Sequence, residues 1–221
     1  MASWMRLALL GAVLAASTAQ GASVLRLEPG AMAAQSELIF IGTVTGQRSV
    51  LEQGPTAGQT AGRSVQIFTD TMFRVDQVVK GIKQDTFMLR QLGGVVGEGA
   101  AQMGTAVPGY ARFTPGERVV LFLERTDTGR LVVTGLAQGK YTLETDAKTG
   151  TVMAVRTMDG LHMVGRAPDK VFAGVPADLN RMPLDTLLAM VAGRRPAPLA
   201  PPAAAPQVVR TPQLSLPGGD R

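Results

Sequence analysis

The longest regular signal in the chain is an alternation. Val65, Ile67, Thr69, Thr71, Phe73 and Val75 fall on one side, with Gln66, Asp70, Arg74 and Asp76 largely on the other. A period of two over this length marks a half-buried strand, because successive side chains of an extended chain point to opposite faces. Phe68 and Met72 interrupt the polar side, so that side is expected to be partly covered too. Upstream, "LIFIGTVT" (residues 38–45) is dense in β-formers and predicts a first strand, followed by a polar, glycine-containing loop over 47–62. Downstream, Lys80-Gly81 breaks the pattern and Thr86 to Leu92 starts a third strand. "GERVVLFLER" (116–125) predicts the main core strand, turned by "TDTG". "RLVVTGLAQG" and "KYTLETD" continue the meander, and "DAKTG" turns the chain into "TVMAVRT".

Helical signals are few. "PGAMAAQSEL" predicts a short helix from Pro29, a residue tolerated in a first turn. Leu184, Leu187, Leu188 and Val191 recur at spacings of three and four, which predicts an amphipathic helix near 183–192, stopped by Gly193. Leu161 to Pro176 has no regular pattern. Several strands joined by short turns, little helix and no β-α-β alternation predict a mainly β chain. The expected form is a closed or partly closed antiparallel barrel with short flanking helices, and a sandwich is the alternative.

The two ends read differently from the body. Arg6, an apolar run over 7–16 and small residues at Ala19 and Gly21 have the order of a secretory signal peptide over 1–21. Cleavage is expected after Gly21, with Ala19 as the alternative. The run is short for a membrane span, so no integral membrane anchor is expected. Residues 194–221 hold half of the 14 prolines and no core pattern, and they read as a disordered Pro/Ala-rich tail. The domain is therefore placed at 22–193. The chain has no cysteine, which removes disulfides, thiol nucleophiles and thiolate metal sites. Export without disulfides points to a bacterial periplasm or extracellular space.

Charge changes the picture less than the pI of about 10.1 implies. Once Arg6 and the tail's Arg194, Arg195, Arg210, Arg221 and Asp220 are set aside, the body is within one charge of neutrality. Aromatics make up 5% of the chain, too few for a stacking platform, so no nucleic-acid partner is expected. His162 is the only histidine, which leaves no triad and no zinc constellation, and no metal or cofactor is expected. Glu98, Glu117 and Glu144 could supply a carboxylate pair, but no spacing brings two of them together. A carboxylate-dependent hydrolase is thus an alternative and not the expectation.

The glycine-rich run from Gly93 to Tyr110 superficially looks like a phosphate loop. Gln102 stands where a third glycine belongs, no Lys-Ser/Thr follows, and Pro108 interrupts any receiving helix. What remains is a long loop inside a compact domain, where function commonly sits. Gly93, Gly94, Gly97, Glu98, Gly99, Gln102 and Tyr110 are its candidate binding residues.

"SELIFIGTVTG", "FRVDQVVKG", "FTPGERVVLFLE" and "VVTGLAQGKY" together resemble a group of uncharacterised exported bacterial proteins. Their order is also distantly similar to the netrin-like barrel of tissue inhibitors of metalloproteinases. The resemblance spans Ser36 to about Tyr141 and implies an OB-like, five-stranded barrel. It does not carry the inhibitory group, a cysteine at the mature N-terminus, because Ala22 stands there. The expectation is an exported, non-enzymatic binding module that contacts a protein or cell-envelope component through the 93–110 loop. A metalloprotease-inhibitor-like role is an alternative.

Overall fold

The computed structural model describes residues 22–55, 63–158, 161–164 and 179–193. The expected leader, the tail and the backbone over 165–178 lie outside these residues. In chain order the elements are β1 (Ala22–Leu25), α1 (Pro29–Gln35), β2 (Leu38–Pro55), β3 (Arg63–Lys80), β4 (Thr86–Leu92), β5 (Gly94–Val96) and β6 (Met103–Thr105). Then follow β7 (Arg118–Arg125), β8 (Leu131–Val133), β9 (Lys140–Thr145), β10 (Val152–Val155), β11 (Leu161–Val164), β12 (Arg181–Pro183) and α2 (Leu184–Val191).

One antiparallel sheet dominates, in the order β12-β10-β9-β7-β2-β3-β4, with β8 paired to the far end of β7. β1 pairs in parallel with β11, and β5 pairs with β6 in a separate hairpin. The mainly β expectation is met. The closed barrel is not: β4 and β8 approach one another, yet no ladder joins them among the described residues. The segment that precedes β7 lies in that seam, with Phe113 edge-on to Phe73 at 5.2 Å.

The apolar run of β7 has no alternation because both faces of this strand are covered. Val120 and Phe122 join Ile39, Ile41, Tyr141, Met32 and Leu187 in a core roofed by α1 and α2. Val119, Leu121 and Leu123 join Phe40, Phe73 and Leu89 in a second core on the other face. A strand buried on two sides reads as a continuous hydrophobic stretch. Phe40, Phe73, Phe87 and Phe113 pack as edge-on or tilted rings at 5.2–6.4 Å, the arrangement aromatic quadrupoles favour.

The alternation of β3 holds over the middle of the strand, but Val65 is 54% exposed on the side read as apolar and Asp70 is buried on the side read as polar. Ile67, Thr71 and Phe73 are buried, while Met72 is 46% exposed on the opposite face. Phe68 gives that outer face its expected partial cover: it is half-buried, with the Arg90 and Arg130 guanidinium groups each 5.8 Å from its ring. The predicted loop after residue 46 is largely strand. β2 runs on to Pro55 and pairs residue for residue with β3 as far as Arg63. Gly46, Gln47, Arg48 and Ser49 lack β character, but cross-strand bonds replace it, Gln47 to Thr71 and Ser49 to Thr69. Besides the β5–β6 hairpin and β12, two further strands escaped the sequence pattern, β1 and β11. Their mutual pairing is long-range and leaves no local signature.

Candidate functional site

The site begins where the chain leaves β4. Gly93 N–H donates to the Ile67 carbonyl at 2.7 Å, and its own carbonyl accepts the Thr69 hydroxyl at 2.8 Å. Gly93 and Gly94 have φ of 101° and 134°, conformations that side chains other than glycine rarely adopt. A Cβ on Gly94 would overlap the Thr69 and Ser49 hydroxyls, which bond each other at 3.0 Å. The glycine pair therefore folds the chain back flat against the β2–β3 ribbon. The expected loop is then not irregular: β5 and β6 form a hairpin lying on that ribbon.

Between the hairpin, the ribbon and the irregular segment preceding β7 lies a cleft of about 760 Å³. Gly93, Gly94 and Tyr110 line it, as expected for the candidate loop. Gly97, Glu98, Gly99 and Gln102 do not. They make the exposed end of the hairpin, where Gly97 (φ 89°) and Gly99 (φ 56°) carry a single 3-10 turn over Gly99–Ala101. Sequence reasoning missed Gln47, Ser49 and Thr69 on the ribbon, Gln91 at the end of β4, and Arg112. One signal could have pointed to part of this wall: Thr69 and Thr71 are polar residues at the inward positions of an otherwise apolar alternation.

Among the described residues that line the cleft there is no carboxylate, and Arg112 is the only charged one. Gln91, Tyr110 and Arg112 have no side-chain hydrogen-bond or ion-pair partner among the described residues, so a free amide, phenol and guanidinium face this border. A second cleft of about 240 Å³ adjoins the first across Tyr110, Ala111 and Arg112. Glu117 stands in it, fully engaged. Its carboxylate is 2.6 Å from Lys140 Nζ and accepts the Thr142 hydroxyl and the Thr114 N–H. The lysine in turn lies 5.0 Å from the Phe113 ring.

The other carboxylates are elsewhere. Glu98 is on the exposed hairpin end, and Glu144 pairs with Arg181 of the edge strand β12 at 3.2 Å. Asp70 is buried and receives Arg90 through two bonds of 2.6 and 2.7 Å. Those bonds hold its carboxyl below the ordinary value, while burial opposes them. Burial pushes the Tyr141 phenol up to about 12. Among the described residues no group of three or more His, Cys, Asp and Glu side chains is placed to hold a metal ion. His162 stands on β11 opposite Ser23, and its side chain lies outside the described set. No described helix is long and apolar enough to cross a membrane.

A scan against protein-family models finds no match to the chain. A search of curated proteins also finds none.

Proposed function

We propose that the protein is an exported, non-enzymatic binding module that takes a cell-envelope component or protein into the cleft beneath the β5–β6 hairpin. The observation that carries this reading is the wall of unengaged polar groups, Gln91, Tyr110 and Arg112, around a space of about 760 Å³. Binding pockets of this size with a few well-placed polar groups are the usual form of a ligand site. The carboxylates support binding over hydrolysis, because Glu117 and Glu144 are each held by a cation and Glu98 stands apart from the cleft. We also read the curled sheet as an opened relative of the OB-like barrel, a reading supported by the motif order and by the approach of β4 to β8.

The test is capture from envelope extract by the immobilised full chain, compared with a variant in which residues 95–105 are replaced by a short glycine-serine link. The variant should remain cooperatively folded, unfolding only a few degrees lower, and should lose its captured component. Undiminished capture by a folded variant removes the cleft from the account.

A further inference from the structure

The three unengaged groups have complementary chemistry and stand at one border. Tyr110, Ala111 and Arg112 line both the 760 Å³ cleft and the 240 Å³ cleft, so the two spaces share these residues as a common border. A ligand that uses both must be longer than a single compact group. Its charge is also constrained. The one carboxylate in either lining, Glu117, is consumed by Lys140, Thr142 and the Thr114 N–H. Among the described residues of the two linings, the Arg112 guanidinium is therefore the one charge left unmatched.

Two kinds of elongated, anionic ligand fit that charge: an acidic peptide and an acidic glycan. Peptides that lie along a sheet bind through free backbone groups on a strand edge. Here the backbone that opens the cleft is already committed, since Gly93 N–H bonds Ile67 and its carbonyl accepts from Thr69. The wall instead offers side-chain amides and hydroxyls. Gln47 donates to Thr71 and keeps its carbonyl, Gln91 is free at both ends, and Thr105 adds a hydroxyl. Sugar hydroxyls donate and accept at the same atom, and carboxamides and hydroxyls meet both demands. The half-buried Tyr110 ring gives an apolar face with a polar rim, suited to the C–H face of a pyranose. A planar guanidinium receives a carboxylate through two parallel bonds.

We infer that the cleft takes an acidic oligosaccharide, with a carboxylated sugar at Arg112, its neighbour on Tyr110 and further units along Gln91 toward the hairpin. This inference rests on the cleft being the binding site, as proposed above. The test titrates the full chain calorimetrically with tetragalacturonate, with its neutral methyl ester and with a tetraglutamate peptide, each at low and high salt. Tetragalacturonate should bind about tenfold or more tightly than its ester, the cost of losing one charge-assisted contact. Arg112→Gln should remove most of that difference, weakening the acid far more than the ester. Gln91→Leu, which alters no charge, should weaken acid and ester alike, and unchanged unfolding temperatures should show both variants folded.

Tetraglutamate binding with the same dependence on Arg112 and Gln91 would assign the cleft to acidic peptides and overturn the inference. Binding that high salt abolishes equally in wild type and both variants would reduce it to general attraction by a basic chain, which also overturns it. No binding of either tetragalacturonate form, with envelope capture still dependent on the hairpin, would show the site right and the ligand class wrong. Capture independent of the hairpin would instead refute the site itself.

Discussion

Gly94→Ala sets two local costs against each other. The φ of 134° lies in a region nearly reserved for glycine, where a side chain costs on the order of 1–3 kcal/mol. The new methyl also overlaps the Ser49 and Thr69 hydroxyls. Displacing them breaks the Ser49–Thr69 bond and the Thr69–Gly93 bond, each worth about 0.5–1.5 kcal/mol. Keeping the hairpin docked would thus cost about 2–6 kcal/mol. Docking returns less than that. Val95 and Met103 are 56% and 53% exposed, so the apolar gain from seating the hairpin is about 1–2 kcal/mol. The cheaper response is for the hairpin to lift off the ribbon while the two cores stay intact. The expected unfolding temperature falls by a few degrees, about 2–4 °C per kcal/mol for a domain of this size. Amide hydrogen exchange is the direct assay: Val95, Val96 and Thr105 should lose protection, while Phe40 and Leu121 keep theirs. Gly99→Ala is the control, because no atom lies within 4 Å of its added Cβ and only the roughly 1 kcal/mol left-handed penalty applies. Unchanged hairpin exchange in Gly94→Ala, or equal loss of protection at Phe40 and Leu121, would refute this balance.

Acid stability should depend on Asp70. Its folded carboxyl sits below the ordinary value of 3.8 because Arg90 bonds it, so its contribution is complete above that value and is lost as pH falls through the folded one. Asp70→Asn should flatten the acid limb of a denaturation series, with Glu37 and Asp146, also lowered, accounting for the slope that remains; an unchanged limb would contradict this. Phe73→Ala, which removes a ring packed on Phe40, Phe87 and Phe113, should cost about 3–5 kcal/mol, read as a shift in denaturant midpoint at constant slope. Gln138 is fully buried and bonds Leu27 N–H at 2.8 Å and the Leu25 carbonyl at 2.9 Å. Gln138→Ala should cost about 2–4 kcal/mol by orphaning two backbone groups, and the Leu27 amide should exchange faster.

The strands that carry their own pattern were legible in the sequence. β3 announced its inward face through alternation, β7 through an apolar run, and α2 through its leucine spacing. What was not legible depends on partners distant in the chain. The outer half of β2 is a strand because β3 pairs with it, not because Gly46, Gln47 and Ser49 favour one. An open seam in place of a closed barrel is likewise invisible locally, since it turns on a ladder that does not form and on the packing of Phe113 against Phe73. For the site, the glycines marked the right stretch, yet only its two ends reach the cleft. Gln47, Ser49 and Thr69 entered through the ribbon, and nothing in the 93–110 run could name them.

The two cores draw on different lengths of chain. Every buried residue of the Phe40–Phe73 core lies between Leu38 and Val133, whereas the helix-roofed core reaches from Met32 to Leu187. The first is complete before the last third of the sequence is needed; the second waits for both ends. β7 belongs to both and pairs with β2 across some 80 intervening residues, the kind of distant contact that slows folding. The face that carries the cleft therefore draws no buried residue from beyond Val133, whereas closing the opposite face requires α1 and α2 from the two ends of the domain.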